Sequence, residues 1–367
     1  MTLSQLIIQR IETTGPLRFQ AFMEMCLYHP HLGYYTSANP KIGPTGDFLT
    51  SPSLSPLFGS LIGKQLEQMW HLLGQEPFTI VEYGAGTGRL CRDILAYLKN
   101  NAPLYESLRY CIIEKSPVMR AIERSHLPDT VSWYESIGDI PALTGCVLSN
   151  EVVDTFAVHA VVMGQQLMEV FVGYDHGFQE VLQPASPELI NYLEELGVKL
   201  PPGFRTEINL EAIQWLQTIA AHLRRGYVLT IDYGDESAEL YRPSRQQGTL
   251  RGFRSHRLTP NLYEQIGQQD ITASVNFSAL SHWGTKLGLT HCGLTHQGQF
   301  LLALGFCQAL ELAFSRETNV WQAARQASRL RQALLVDMGL KFKCLVQSKG
   351  VDGQVLSGLS GMSAQKR

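Results

Sequence analysis

Three glycines at alternate positions, Gly84, Gly86 and Gly88, lie in the segment Glu82-Tyr83-Gly84-Ala85-Gly86-Thr87-Gly88, directly after the apolar run Phe78-Thr79-Ile80-Val81. Glycine allows positive φ and lets the backbone approach a ligand with no Cβ in the way. A helix that starts after such a turn presents free N–H groups. A dinucleotide site would show the spacing GxGxxG, with a pyrophosphate on the helix start. Here the third glycine comes one residue early, and Glu82 precedes the loop, where it would repel a pyrophosphate. An acid in that place suits a ligand with an ammonium group, such as the methionyl end of S-adenosylmethionine. Glu114, 26 residues beyond Gly88, ends a second apolar run (Arg109-Tyr110-Cys111-Ile112-Ile113) and can accept from a ribose diol.

A second group, Asn150-Glu151-Val152-Val153-Asp154, follows the apolar run Cys146-Val147-Leu148-Ser149. In open α/β sheets, ligands bind outside the carboxyl ends of the strands, which places Asn150, Glu151 and Asp154 opposite a transferred methyl group. Transfer from a sulfonium depends above all on in-line alignment, which can contribute roughly 7–11 kcal/mol. Paired carboxylates match the planar fork of a guanidinium and can hold its charge on one nitrogen while another attacks. Because the pKa of arginine lies above about 12, the proton leaves during or after attack. The other reading of Glu151 or Asp154 is a cap on the following segment.

The elements that must hold these groups read as strands alternating with helices. Residues 3–13 and 18–28 have helical apolar spacing, split by Gly15-Pro16. Residues 29–56 are rich in Gly, Pro and Ser, a stretch long enough to suggest a functional loop. Helices are expected over 57–73 and 88–99, a strand over 131–134, and a helix whose first turn holds Pro117. This alternation predicts an α/β fold, a parallel sheet with helices on both faces. The pattern then breaks: 158–163 and 167–172 look like a hairpin around Gly164-Gln165, and 186–224 look mainly helical. Buried-strand character returns at 226–234, before a polar, arginine-bearing stretch at 235–260 and a weakly alternating tail from 277. The chain thus divides into N-terminal helices and a covering loop (1–75), a first core part (76–157), an insertion (158–225), a second core part with the basic loop (226–310) and a C-terminal segment (311–367).

Composition narrows the function classes. A net charge of -3 over 367 residues gives no electrostatic footprint for nucleic acid. No apolar run is long enough for a membrane span, and the N-terminus carries no secretory signal. Seven scattered cysteines without CxxC spacing suggest neither disulfides nor zinc and fit a cytoplasmic setting. His29-Pro30-His31 has no further ligand spacing, so no metal site is expected.

In chain order, Gly46-Asp47-Phe48-Leu49-Thr50-Ser51-Pro52, Val81-Glu82-Tyr83-Gly84-Ala85-Gly86-Thr87-Gly88, Ser149-Asn150-Glu151-Val152-Val153-Asp154, Ile231-Asp232-Tyr233-Gly234, Leu250-Arg251-Gly252-Phe253-Arg254 and Asp270-Ile271-Thr272-Ala273 resemble the MidA family. That is the mitochondrial complex I assembly factor group of S-adenosylmethionine-dependent methyltransferases, and the resemblance covers nearly the whole chain. It implies a class I methyltransferase (Rossmann-like) fold with insertions. It also implies protein arginine methylation, with symmetric dimethylation and a protein substrate of the respiratory-complex type. It further implies that Gly46, Asp47, Phe48, Thr50 and Ser51 fold over the cofactor: Gly46 suits a turn, Asp47 an acceptor, Phe48 a stacking face. Ala85 stands where the family often has proline, and Val152-Val153 where some relatives have a bulkier aromatic pair. With no Arg/Ser-rich leader, the chain reads as a bacterial member. Two other readings stay open: a methyltransferase for a different acceptor, and an assembly factor that binds the cofactor with little catalysis.

Overall fold

The computed structural model describes residues 1–37, 41–43, 46–47, 49–259, 261–315, 317–351, 353 and 355–364. Its centre is a sheet of eight strands among the described residues. Seven of them, numbered here in chain order, are β1 (Phe78–Tyr83), β2 (Leu108–Ile113), β3 (Val131–Tyr134), β4 (Leu143–Asn150), β5 (Leu223–Asp235), β6 (Thr290–His296) and β7 (Phe342–Lys349). Their order across the sheet is β3-β2-β1-β4-β5-β7-β6, and the short strand Val275–Asn276 pairs with the end of β5. The first five run parallel, while β7 is antiparallel to both of its neighbours.

The register sets the working edge. Tyr83 pairs with Ile113 on one side and Ser149 on the other, and Asn150 pairs with Ile231. The residues that follow β1, β2 and β4 therefore emerge together at the carboxyl edge.

Successive residues of the parallel strands point to opposite faces, and both faces are covered, as parallel strands joined by helical crossovers require. Ile80, Ile112, Leu148 and Leu229 pack against the helices Pro56–Leu72 and Arg89–Leu98. Val81, Cys111, Val147 and Val228 pack against Leu210–His222 and Phe277–Lys286. Local chemistry sets the helix starts. Thr2 and Gln5 form a reciprocal capping box on Leu3–Thr14. Ser116 caps Pro117–Arg124, whose first residue is the proline expected there.

The remainder differs from the sequence reading in four places. The hairpin, observed as His159–Met163 and Leu167–Tyr174, belongs to a five-stranded sheet with Leu17–Arg18, Phe178–Pro184 and Arg205–Ile208. The region expected to be mainly helical holds two helices, Pro187–Glu195 and Leu210–His222, with the strand Arg205–Ile208 between them. Those four residues gain a full ladder along His159–Met163, and pairing overrides local preference. The basic stretch contains a hairpin, Arg251–Arg254 with Arg257–Thr259, whose first strand also pairs with Asp270–Thr272. Ending the core at 310 is too early, because β7 sits inside the sheet.

Candidate active site

The glycine loop turns sharply off β1. Gly84, Gly86 and Gly88 all have left-handed backbones, with φ of 59°, 59° and 72°, a conformation that costs an L-residue roughly 1–2 kcal/mol. A Cβ on Gly84 would stand 3.0 Å from Val152 Cγ2, and one on Gly86 would stand 2.8 Å from Ile42 Cδ1. The alternate spacing thus keeps open a cradle between the β4 turn and the early loop. Gly88 begins the helix Arg89–Leu98.

The cradle opens into a cavity of about 1200 Å³. A pocket for one drug-sized ligand typically measures about 300–1,000 Å³, so two reactants fit. Of the residues singled out in the sequence, Glu82, Gly84, Gly86, Glu114, Thr50, Asn150, Glu151 and Asp154 line this cavity. Gly46, Asp47, Ser51 and Gly88 do not line it but hold the parts that do. Asp47 accepts from the Tyr34 hydroxyl (2.7 Å) and from the Ser255 N–H (2.7 Å), pinning the early loop to the basic hairpin. The Ser51 N–H donates to Glu151 Oε1 (3.2 Å). Phe48 lies outside the described residues.

Two acids serve the β1–β2 side. Glu82 Oε2 accepts from the Tyr110 hydroxyl (2.7 Å), and burial pushes the carboxyl up to about 7. Glu114 Oε1 accepts from the Ser116 N–H (2.7 Å) and is also raised by burial to about 7. Behind it the fully buried Glu123 accepts from Trp133 Nε1 (2.8 Å). Burial, and then the charge of Glu114, lift Glu123 to about 8. Nothing in its local sequence marks Glu123, since it reads as an ordinary polar position on a helix.

The β4–β5 side carries the other acids. Glu151 has φ 58°, uncommon for a residue with a side chain. Its N–H donates to the Ile231 carbonyl (2.9 Å), and its Oε1 accepts from Asn150 Nδ2 (3.1 Å) as well as from Ser51. Enclosure, and then the charge of Asp232, push it up to about 8. Asp232 explains the turn: its Oδ2 accepts from the N–H groups of Val152, Val153 and Asp154 at 3.1, 2.9 and 3.3 Å. Asp232 is thus a structural hydrogen-bonding group that, by fixing the turn, also positions Glu151 and Asp154. Asp154 is buried and lines the cavity, and its Oδ1 has no hydrogen-bond partner among the described residues.

Sequence reasoning passed over Tyr28, Tyr35 and Trp215, which also line the cavity, and gave no role there to Asp270. Of the basic stretch, Arg245 is held by Asp235 at 2.7 Å and Arg242 by Glu239 at 2.7 Å, while Arg245 and Arg251 reach the rim.

The residues fit an S-adenosyl ligand. The two glycine positions clear the space a Cβ would fill, Glu82 offers an acceptor for an ammonium, and Glu114 one for a ribose diol. Comparison with known proteins agrees. Residues 61–295 match a family model described as "Putative S-adenosyl-L-methionine-dependent methyltransferase". A crystal structure from Burkholderia thailandensis bound to S-adenosyl-homocysteine is 31% identical, covering 98% of this chain and 94% of that one with a TM-score of 0.87. The protein arginine methyltransferase NDUFAF7 homolog, mitochondrial, of Drosophila melanogaster is 29% identical over 95% of this chain and 85% of its own. The mitochondrial protein arginine methyltransferase NDUFAF7 of Bos taurus is 28% identical over 84% of this chain and 75% of its own.

Proposed function

The chain belongs to the MidA/NDUFAF7-type family of S-adenosyl-L-methionine-dependent methyltransferases, and on that premise we propose that it methylates an arginine side chain of a protein, with symmetric dimethylation as the product. The names of the Drosophila and bovine relatives support an arginine acceptor. The observation that carries the reading is the run of acids facing the cavity from the β4–β5 side. Neither Glu151 nor Asp154, which line the cavity there, forms an ion pair with a basic residue among the described residues. Acids grouped without a basic partner, and raised by burial, are arranged for a cation that arrives with the substrate.

When bound, S-adenosyl-L-methionine supplies an electrophilic methyl carbon on a sulfonium sulfur. The protein must then align a guanidinium nitrogen with that carbon and take up one proton. Glu151 is suited to the second task. Its Oε1 is fixed by Ser51 and Asn150; raised to about 8, the carboxyl holds its proton in most molecules at neutral pH, and the charge of an incoming guanidinium drives it to the carboxylate that takes up the proton of the reaction. On methyl transfer the sulfonium would supply the methyl and keep the C–S electron pair, and the N–H proton of the attacking nitrogen would pass to the Glu151 carboxylate. Asp154, beside it, balances the charge left on the guanidinium, and Asp232 holds both acids in place through the turn backbone.

The test is a methyl-labelled cofactor incubated with host lysate, followed by mass spectrometry of the labelled proteins. Glu151→Gln keeps the acceptor oxygen that Ser51 and Asn150 bind and removes only the base. It is expected to lower kcat by about 10²–10⁴-fold with cofactor affinity unchanged. Label on lysine, on a carboxylate or on a small molecule would overturn the arginine reading. Full arginine labelling by Glu151→Gln would remove Glu151 from the catalytic role.

A further inference from the structure

The cavity holds more acid and more aromatic surface on the β4–β5 side than proton removal needs. Asp270 is 4% exposed, lines the cavity, and accepts at Oδ1 from the Tyr35 hydroxyl at 2.9 Å. Asp154 is 5% exposed and leaves Oδ1 without a partner. The two acids belong to one piece of structure, since the Ala273 N–H, just past the strand Asp270–Thr272, donates to the Asp154 carbonyl (3.0 Å). Burial, and then the charges of Asp232, Asp270 and Glu151, push Asp154 up. Beside them Tyr28 and Tyr35 stack with ring centroids 5.5 Å apart and planes 20° apart, and both rings line the cavity. The Tyr28 hydroxyl is tied to Thr155 Oγ1 at 2.8 Å, so the aromatic wall is anchored to the same turn.

A buried acid with an unused acceptor and a second acid oriented by a tyrosine hydroxyl together suit the five in-plane donors of a guanidinium, and the tyrosine wall suits its flat face; an ammonium can touch a ring, as Lys115 Nζ does 5.0 Å from the Tyr28 centroid, but has three donors and no flat face to fill both acids at once. We infer that Asp154, Asp270, Tyr28 and Tyr35 form a guanidinium subsite that selects arginine over lysine, binding the nitrogens that do not react while Glu151 faces the one that does. This assignment rests on the arginine reading above and adds to it the residues that set acceptor choice. Entry of the cation displaces a carboxyl proton to solvent, so the charge of the subsite is balanced on binding.

The probe is a fluorescent glycine- and arginine-containing peptide, measured by anisotropy against its lysine counterpart, on full-length protein saturated with S-adenosyl-homocysteine. The wild type is expected to prefer the arginine peptide by about tenfold or more, the scale of one charge-assisted hydrogen bond. Asp270→Asn should lose that preference while S-adenosyl-homocysteine affinity stays within about twofold, which also reports that the variant is folded. Tyr35→Phe keeps the ring and removes only the hydroxyl that orients Asp270. It should weaken the arginine peptide by about threefold, and it decides the matter if Asp270→Asn fails to fold. Equal binding of the two peptides by the wild type overturns the subsite, and so does an unchanged preference in a folded Asp270→Asn. Arginine label from the lysate experiment together with an unaffected Asp270→Asn would sink the subsite alone. Label on another acceptor would sink the reading beneath it.

Discussion

Cofactor affinity should rise with pH, because the acid assigned to the ligand's ammonium is held largely protonated by burial. Glu82 is raised to about 7, chiefly by burial, with Tyr110's hydrogen bond opposing the shift and the charge of Glu114 adding to it. At pH 6 only about one molecule in ten would carry the Glu82 carboxylate, and at pH 7.5 about three in four. If the ammonium binds the ionised form, the apparent Kd falls by roughly eightfold across that interval, and complex formation at pH 7 releases about half a proton from this group. The sign follows from the raised pKa: binding drives the carboxyl to ionise, so lowering the proton concentration favours binding. The ligand's own amino group, with a pKa of about 7.7–8.0, starts to lose its charge from about pH 7, which trims the gain slightly by pH 7.5 and levels it off above that. Calorimetry of S-adenosyl-homocysteine in two buffers of different ionisation enthalpy measures both the affinity and the proton count. Glu82→Gln keeps an acceptor oxygen for the Tyr110 hydroxyl and should flatten the profile. A flat wild-type profile from pH 6 to 7.5 would refute the placement of the ammonium at Glu82. An unchanged slope in Glu82→Gln would move the linkage to Glu114 and Glu123.

Two further outcomes follow from the same geometry. Gly86→Val places a branched side chain on a left-handed backbone, 2.8 Å from Ile42 Cδ1 and inside the cradle. It should abolish measurable S-adenosyl-homocysteine binding by calorimetry while costing roughly 1–2 kcal/mol of stability, and unchanged affinity would refute the cradle. The ligand-free protein should also melt at lower temperature at pH 8.5 than at pH 6. Glu82, Glu114, Glu151, Asp232 and Asp270 are all raised to about 7 or 8, so between pH 4.5 and 8 the folded state binds more protons than the unfolded one. Their contribution to stability is therefore lost as pH rises through those values. A melting temperature that rises over this range by calorimetric scan would contradict the burial of these acids.

The parts of the site that were legible in the sequence are the local ones. The glycine spacing, Glu82 before it and Glu114 after it depend on neighbours along the chain, and the alternation of strands and helices puts them at one edge. Asp270 and Tyr35 were not legible as a pair, because 235 residues separate them and only the folded topology joins them. Asp47 is similar: its type suggests an acceptor, but its N–H partner is Ser255, 208 residues away. The strand Arg205–Ile208 was missed because four residues between two helices carry too little periodicity, and its ladder comes from His159–Met163. β7 was missed because a strand buried on both faces shows no alternation, so its apolar run Cys344-Leu345-Val346 is ambiguous by pattern alone.

The place of β7 bears on how the chain is made. Its residues, Phe342–Lys349, enter between β5 and β6, which were synthesised long before. Until then β5 keeps an open edge from Gly226 to Tyr233, and β6, whose partner among the described residues is β7, waits for its ladder. An exposed edge of that length is a template for pairing with other chains, and closure over so large a sequence separation is slow. β7 thus joins β6 to the parallel strands, as a keystone joins the two sides of an arch. A chain interrupted before residue 342 would leave that edge of β5 open to pairing with other chains.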